Sequence, residues 1–354
     1  MRLISLRKVA SGMVLARDIY SCDGNILLAK GVVLTQHFLN RLNHLGIQEL
    51  YIEDSISKDI EVHDVINQET RILAKKMIFQ AMSDIRQKKK FSVSGISDAI
   101  NRIVDELLSS KNLMVNLTDL RCVDEYTFAH SVNVAILSIL IGKSLGYNEL
   151  RLRDLGIGAM LHDIGKTQIP TSILNKPGPL LHEEFELMKK HTLYGFSILR
   201  EYDDISSLSR IIALMHHERI DGTGYPLGKC NTEIHEFAKI VSVTDTYDAL
   251  TSSRVYKEKI TPDKAVEYLL STSDVHYDQN IVNNLLNHIV VFPLGTLVQL
   301  NTVQKAIVID NNRNYPTRPV VRIVFEDDGK YIDGQEEIDL QKNPDIYIIE
   351  VCDN

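Results

Sequence analysis

The chain has 354 residues, 44% of them hydrophobic, and a formal charge of -8 in which basic and acidic side chains are largely interspersed. That length exceeds one ordinary core and suits two or three domains. The acidic balance excludes broad binding to duplex nucleic acid or an anionic membrane, which both need a positive field, but leaves room for an anionic small molecule held by metals and local cations.

Residues 1–53 are expected to form a small α/β unit. Residues 14–19 and 25–29 are β-favouring runs joined through Asp23-Gly24, a hairpin signal. Thr35 is placed to cap a helix with apolar positions Phe38, Leu39, Leu42 and Leu45, and Gly46 to end it. A strand over residues 49–52 closes the unit, which carries no chemistry. Residues 54–112 read as a linker and helical connection. A polar stretch over 54–64 leads to a helix over 65–90 that ends in Lys88-Lys89-Lys90, then a break over 91–95 and an amphipathic helix over 96–108. Those helices offer a surface for pairing, so a homodimer is an expectation.

From 113 to 290 the pattern is helix after helix. The one through His130 is almost wholly apolar beyond that residue, which makes it the expected centre of the bundle. Its most apolar stretch, residues 132–142, is about half of the roughly 20 residues that a membrane span needs. Asn148 is placed to cap the next helix, in which Gly156, Gly158 and Ala159 permit close packing and which ends at His162-Asp163-Ile164-Gly165. Beyond Phe292-Pro293, residues 296–300, 305–310, 320–325 and 346–351 are β-rich and Asp328-Gly329 is a turn signal, so 291–354 is expected to be a small antiparallel β unit. The expected fold class is therefore mainly α, with a small α/β unit before the bundle and a small β unit after it. Cys22, Cys122, Cys230 and Cys352 form no CxxC pair, so reduced thiols in a cytoplasm are expected, and the N-terminus shows no secretory leader.

Chemistry concentrates in the bundle. HHERIDGTGYP, from His216 to Pro226, sets two histidines with an acidic residue behind them beside a turn carrying Gly222, Gly224, Tyr225 and Pro226. Alone, the pair fits a surface loop as well as a site. The same helices also carry His130, His162-Asp163, His191 and Asp245. Imidazoles and carboxylates without thiolates suit iron, manganese or zinc, and a carboxylate can bridge two ions.

Five blocks in order, YTFAHSVNV, LHDIGK, HTLYG, HHERIDGTGYP and VTDTYDALTSSRVYK, make the region 113–290 resemble the HD-GYP phosphodiesterases. These are a branch of the HD superfamily that hydrolyses the bacterial second messenger cyclic di-GMP. The resemblance implies an HD-type helical bundle with two divalent ions, iron or manganese, held by His130, His162, Asp163, His191, His216, His217 and Asp245, Asp163 being the bridge. Two metals about 3.5–4 Å apart would activate a bridging water and clamp the phosphate. Lys166 would offset charge in the transition state. Arg254 and Lys257 match positions that hold phosphate or guanine, and Gly224, Tyr225 and Pro226 would line the same pocket. The product would be linear pGpG, GMP or both. Tyr126 stands where some members place a glutamate for a third ion, so a dinuclear site is expected.

The chain departs from the family pattern at Gly228-Lys229-Cys230-Asn231, His235 and Val255, which puts the loop's shape and dinucleotide preference in question. His37, His44, His63, His182, His235, His276 and His288 match no ligand position. Two other readings stand beside the phosphodiesterase. A non-catalytic cyclic-dinucleotide sensor acting through protein partners would not need a complete ligand set, and the GYP block argues against an HD hydrolase of mononucleotides.

Overall fold

A computed structural model describes residues 1–21, 25–62, 64–110, 114–115, 126–252, 260–326, 330–332 and 336–352. The chain divides into two compact units, one of Met1–Asp64, Met114–Glu125 and Ile289–Asn354, the other of Val65–Leu113 and Tyr126–His288.

In the β-rich unit, β1 (Arg2–Ser5), β2 (Val14–Leu15), β3 (Ile19–Tyr20) and β4 (Ile26–Leu28) precede helix α1 (Gln36–His44) and β5 (Glu49–Glu53). Strand order is β1-β5-β2, with β3 and β4 paired separately. The β-run expected over 14–19 is thus two strands in two sheets, because Leu15 aligns with Ile52 while Ile19 aligns with Leu28. Thr35 accepts a hydrogen bond from Phe38 N, and Gly46 ends the helix region at φ 72°, a conformation open to glycine without strain. One cluster of buried apolar residues, including Ile4, Leu15, Leu39, Leu42 and Ile52, unites these elements.

The same unit holds β6 (Leu297–Leu300), β7 (Lys305–Asp310), β8 (Val320–Phe325), β9 (Glu337–Asp339) and β10 (Ile348–Val351), an antiparallel sheet in the order β10-β6-β7-β8-β9. Strand β9, only three residues with two of them acidic, carried no β signal in the sequence. The N- and C-terminal segments were expected as separate units, yet Leu3 N donates to Gly295 O at 3.0 Å and Arg322 bonds Asp59 at 3.0 and 2.7 Å. The turns expected at Asp23-Gly24 and Asp328-Gly329 lie outside the described residues.

The helical unit consists of α2 (Gln68–Arg86), α3 (Val93–Ser109), α4 (Tyr126–Ser144), α5 (Glu149–Met160), α6 (Thr171–Leu174), α7 (His182–Lys189), α8 (His191–Leu199), α9 (Ser207–Met215), α10 (Glu236–Thr251), α11 (Pro262–Ser271) and α12 (Gln279–Leu286). The chain is mainly α, as its apolar periodicity requires. Helix α4 is buried on every side from Ala129 to Ile141 and packs against α2, α5, α10 and α12. Asn148 caps α5 by accepting from Arg151 N at 2.9 Å. Helices α2 and α3 belong to this unit and are not a free connection. Ile96, Ile100, Ile103, Val104 and Leu107 of α3 are buried, so the apolar face on which homodimer pairing was expected is used within the unit. The break expected over 91–95 is shorter, since Ser92 accepts from Gly95 N at 3.3 Å and starts α3 at Val93. Among the described residues no helix is long and apolar enough to cross a membrane.

Candidate metal centre

Five segments deliver seven donor side chains to one place. His130 lies on α4, His162-Asp163 in the turn after α5, His191 at the first position of α8, His216-His217 directly after α9, and Asp245 within α10. Two close approaches make this possible. A Cβ on Gly165 would lie 1.9 Å from His191 O and 2.4 Å from Gly195 N, so only glycine lets the turn after Asp163 press onto α8. A Cβ on Gly224 would lie 2.3 Å from Arg219 N and 2.4 Å from Glu218 Cα, which folds the GYP turn back over the segment following His217.

Backbone carbonyls orient three of the rings. Nδ1 of His162 bonds Ala159 O at 2.7 Å, that of His191 bonds Met188 O at 2.7 Å, and that of His216 bonds Ile212 O at 3.0 Å. Each Nδ1 therefore carries the proton, and each Nε2 turns its lone pair inward. Asp163, Oδ1 or Oδ2, lies 3.4 Å from His191 Nε2, 3.9 Å from His216 Nε2 and 3.3 Å from His162 Nε2. Asp245 faces His130 Nε2 at 3.0 Å and His162 Nε2 at 3.9 Å through Oδ1, and His217 Nδ1 at 3.9 Å through Oδ2. The donors fall into two groups suited to cations, Asp163 with His191, His216 and His217, and His130 with His162 and Asp245. Both carboxylates span the groups, whereas the resemblance had singled out Asp163.

The chemistry of the donor set fits divalent ions. His162 Nε2 and Asp163 Oδ1 are buried without a hydrogen-bond partner, an arrangement that is costly unless something else satisfies them. Burial, followed by the charge of His217, holds His216 well below its usual range, and burial takes His191 down to about 4 and His217 to about 3. All three are therefore neutral at pH 7, the form in which imidazole binds a metal. Burial pushes Asp163 up, but Lys166, His162 and His191 together hold it well below the carboxylate range. For Asp245 burial is outweighed by the bond and charge of His130. His130 goes the other way. Burial lowers it, yet its contacts with Asp245 and Asp248 bring it up to about 9, so a cation entering here displaces a proton.

Two buried carboxylates beside the candidate site had no role in the sequence reading. Asp248, fully buried, accepts from His130 Nδ1 at 2.7 Å, Ser252 Oγ at 3.1 Å and Asn133 Nδ2 at 2.9 Å. It stands three residues after Asp245 in TDTYDAL, a spacing that returns to the same helix face and was the available signal. Glu218, also buried, accepts from Leu227 N at 2.7 Å and Lys229 N at 3.0 Å and so fastens the GYP turn. Its place behind the two histidines was visible, but not its backbone partners.

The centre opens onto a cleft of about 510 Å³, a size suited to a small-molecule ligand. Lys166, Gly224 and Tyr225 line it with His217 and Asp245, and Lys166 Nζ also reaches Asp163 Oδ2 at 2.5 Å. Tyr225 stacks on His217 with centroids 4.7 Å apart and planes at 30°. Pro226, joined to it by a cis peptide, is not among the lining residues. Arg254 and Lys257 lie outside the described residues, as do His63 and the side chain of Tyr126. Of the histidines matching no ligand position, His288 is buried against Ser144 and His235 caps α10.

A bundle of this kind with a histidine–aspartate centre defines a class. The HD domain family matches residues 102–281, just over half of the chain, and a KOW domain associated with HD domain matches 297–354. The chain belongs to the HD domain family. It is 33% identical over 267 residues to the cyclic di-GMP phosphodiesterase PA4108 of Pseudomonas aeruginosa, covering 75% of this chain and 64% of that protein. It is 40% identical over 182 residues to a cyclic di-GMP phosphodiesterase of Thermotoga maritima, covering 51% of this chain and 48% of that one. A third relative, the 3'3'-cGAMP-specific phosphodiesterase 2 of Vibrio cholerae, is 35% identical over 191 residues, 53% of this chain and 37% of that protein. The chain thus spans less than two thirds of the length of each.

Proposed function

We propose that this protein is a metal-dependent phosphodiesterase that hydrolyses cyclic di-GMP or a closely related cyclic dinucleotide. The observation that carries this reading is the buried pair without partners, His162 Nε2 and Asp163 Oδ1, inside a set of seven donors beside an open cleft. Two divalent ions, iron or manganese, held by that set would supply Lewis acidity and an activated water. Asp163 and Asp245, each of which faces both donor groups, would help to hold the ions. The names of the relatives supply the substrate class.

In the reaction, a water oxygen bonds to phosphorus and the bond from phosphorus to the sugar oxygen breaks. The leaving oxygen takes up a proton, giving linear pGpG, and a second round gives GMP. Lys166, on the cleft wall beside Asp163, offsets charge on the phosphate oxygens. Tyr225, with Gly224 and Pro226 shaping its turn, forms part of the substrate wall, and Arg254 and Lys257 hold phosphate or guanine.

The test is to load the protein with manganese or iron(II), incubate it with cyclic di-GMP and 3'3'-cGAMP, and separate the products. Linear dinucleotide or mononucleotide is expected from the native protein and neither from the His162→Ala/Asp163→Ala double variant. Metal-loaded protein that cleaves no cyclic dinucleotide would refute the enzyme, and tight binding without cleavage would establish the sensor in its place.

A further inference from the structure

Helix α7 stands out because none of its residues is buried. Its aromatic residue, Phe185, is 44% exposed, so packing gives little reason for a phenyl ring there. The ring is not turned to bulk solvent alone, for it lines the cleft. It meets Tyr225 edge to face, with centroids 6.4 Å apart and planes at 76°. Tyr225 in turn stacks on His217. A row of three rings therefore runs from the donor cluster to the rim of the cleft.

A cation fixes the outer end of that row. Lys189 Nζ sits 5.0 Å from the centroid of Phe185 and 5.7 Å from that of Tyr225, within the range of cation–π attraction. It also pairs with Glu186 of the same helix at 2.6 Å. At the other end of α7, Glu184 bonds Leu181 N at 2.7 Å and Lys176 at 2.5 Å. The helix, whose Leu187 and Met188 are half-buried, is thus held in part by these polar contacts in a position that presents one aromatic ring to the cleft.

We propose that Phe185 is a stacking platform for a purine base of the substrate. This rests on the cyclic dinucleotide reading above. A phosphodiester at the donor cluster carries its nucleosides outward along the cleft walls, and the wall formed by His217, Tyr225 and Phe185 is aromatic throughout. Bases splayed out of a stack are bound on such rings, because every base offers a π-face. Phe185 touches the base and not the reacting atoms, so it sets affinity and selectivity for purines.

The experiment measures cyclic di-GMP turnover at steady state on the manganese-loaded protein and binding by titration calorimetry on the metal-free protein, which does not consume the ligand, for native, Phe185→Ala, Phe185→Leu and Phe185→Trp forms. In Phe185→Ala, Kd and KM rise roughly 5- to 150-fold, the range for loss of one base–aromatic stack, while kcat and metal content hold. Phe185→Trp restores both constants and Phe185→Leu does not, since leucine keeps apolar area without a π-face. Unchanged Kd and KM in Phe185→Ala, or full rescue by leucine, overturns the platform and leaves the phosphodiesterase standing. Native protein that neither binds nor cleaves cyclic di-GMP overturns both.

Discussion

Asp248→Asn is the sharpest probe of how the centre is held. The carboxylate uses both oxygens, Oδ2 toward His130 Nδ1 at 2.7 Å and Ser252 Oγ at 3.1 Å, and Oδ1 toward Asn133 Nδ2 at 2.9 Å. Asparagine must put an NH2 group at one of these places. Facing His130, it meets a donor and drives the ring to the tautomer with its proton on Nε2, which cannot ligate. Facing Asn133, it forces that amide to flip and takes an acceptor from Arg71 Nη1, 3.5 Å away. Either way one charge-assisted bond is lost, about 1.5–3 kcal/mol. That converts to roughly 10- to 100-fold in affinity for the ion at His130, His162 and Asp245, in line with the effect of removing a carboxylate behind a ligating histidine. Manganese titration with elemental analysis after dialysis reads the outcome, expected as one weakened site out of two. Two ions retained with native affinity would refute the reasoning.

Glu218→Ala leaves Leu227 N and Lys229 N without their acceptor and should loosen the GYP turn, raising KM for the dinucleotide about tenfold or more while metal content stays near native; equal loss of both would show that the residue serves the ions directly. Gly165→Ala forces a shift of the turn against α8, where the Cβ would be 1.9 Å from His191 O, and elemental analysis is expected to show loss of bound metal, with intact loading as the refuting result. The metal-free protein should be most heat-stable near pH 6.5 in melting curves. His191 and His217, lowered to about 4 and about 3, leave the unfolded chain with more bound protons below that pH, so stability falls as pH drops from 6.5 toward 4. His130, raised to about 9, stabilises most below 6.5 and loses that contribution as pH rises through 9. A flat profile between pH 4 and 6.5 would contradict the burial of neutral imidazoles.

Local chemistry was legible where one residue decides the outcome. Thr35 and Asn148 cap helices because their side-chain oxygens accept orphan amides, and the apolar run after His130 makes α4 central because nothing else can bury it. The seven donors could be named from their blocks, and the fold brings them together. What escaped depends on partners far away in sequence. Asp248 looks like any helix carboxylate until α4 packs beside it, and Phe185 resembles a core residue until α7 leaves it exposed at the cleft. The assignment of α2 and α3 to the bundle was hidden because an amphipathic face does not say what it packs against. Splitting residues 14–19 between two sheets required knowing two registers, and β9 is held by its neighbour β8 more than by its own propensity.

The separation between the donors also governs how long the protein lasts. His130 and the Asp248 that orients it are 118 residues apart, and the seven donors come from five separate segments. An unfolded chain keeps together only the adjacent pairs His162-Asp163 and His216-His217, so ions held there would favour the native state, and stability would grow with the logarithm of free metal above the dissociation constant, up to about 2.7 kcal/mol at a hundredfold excess. Metal supply would then bear on how long the folded chain resists proteases, because each ion lost lowers the free energy that separates the native from the unfolded state.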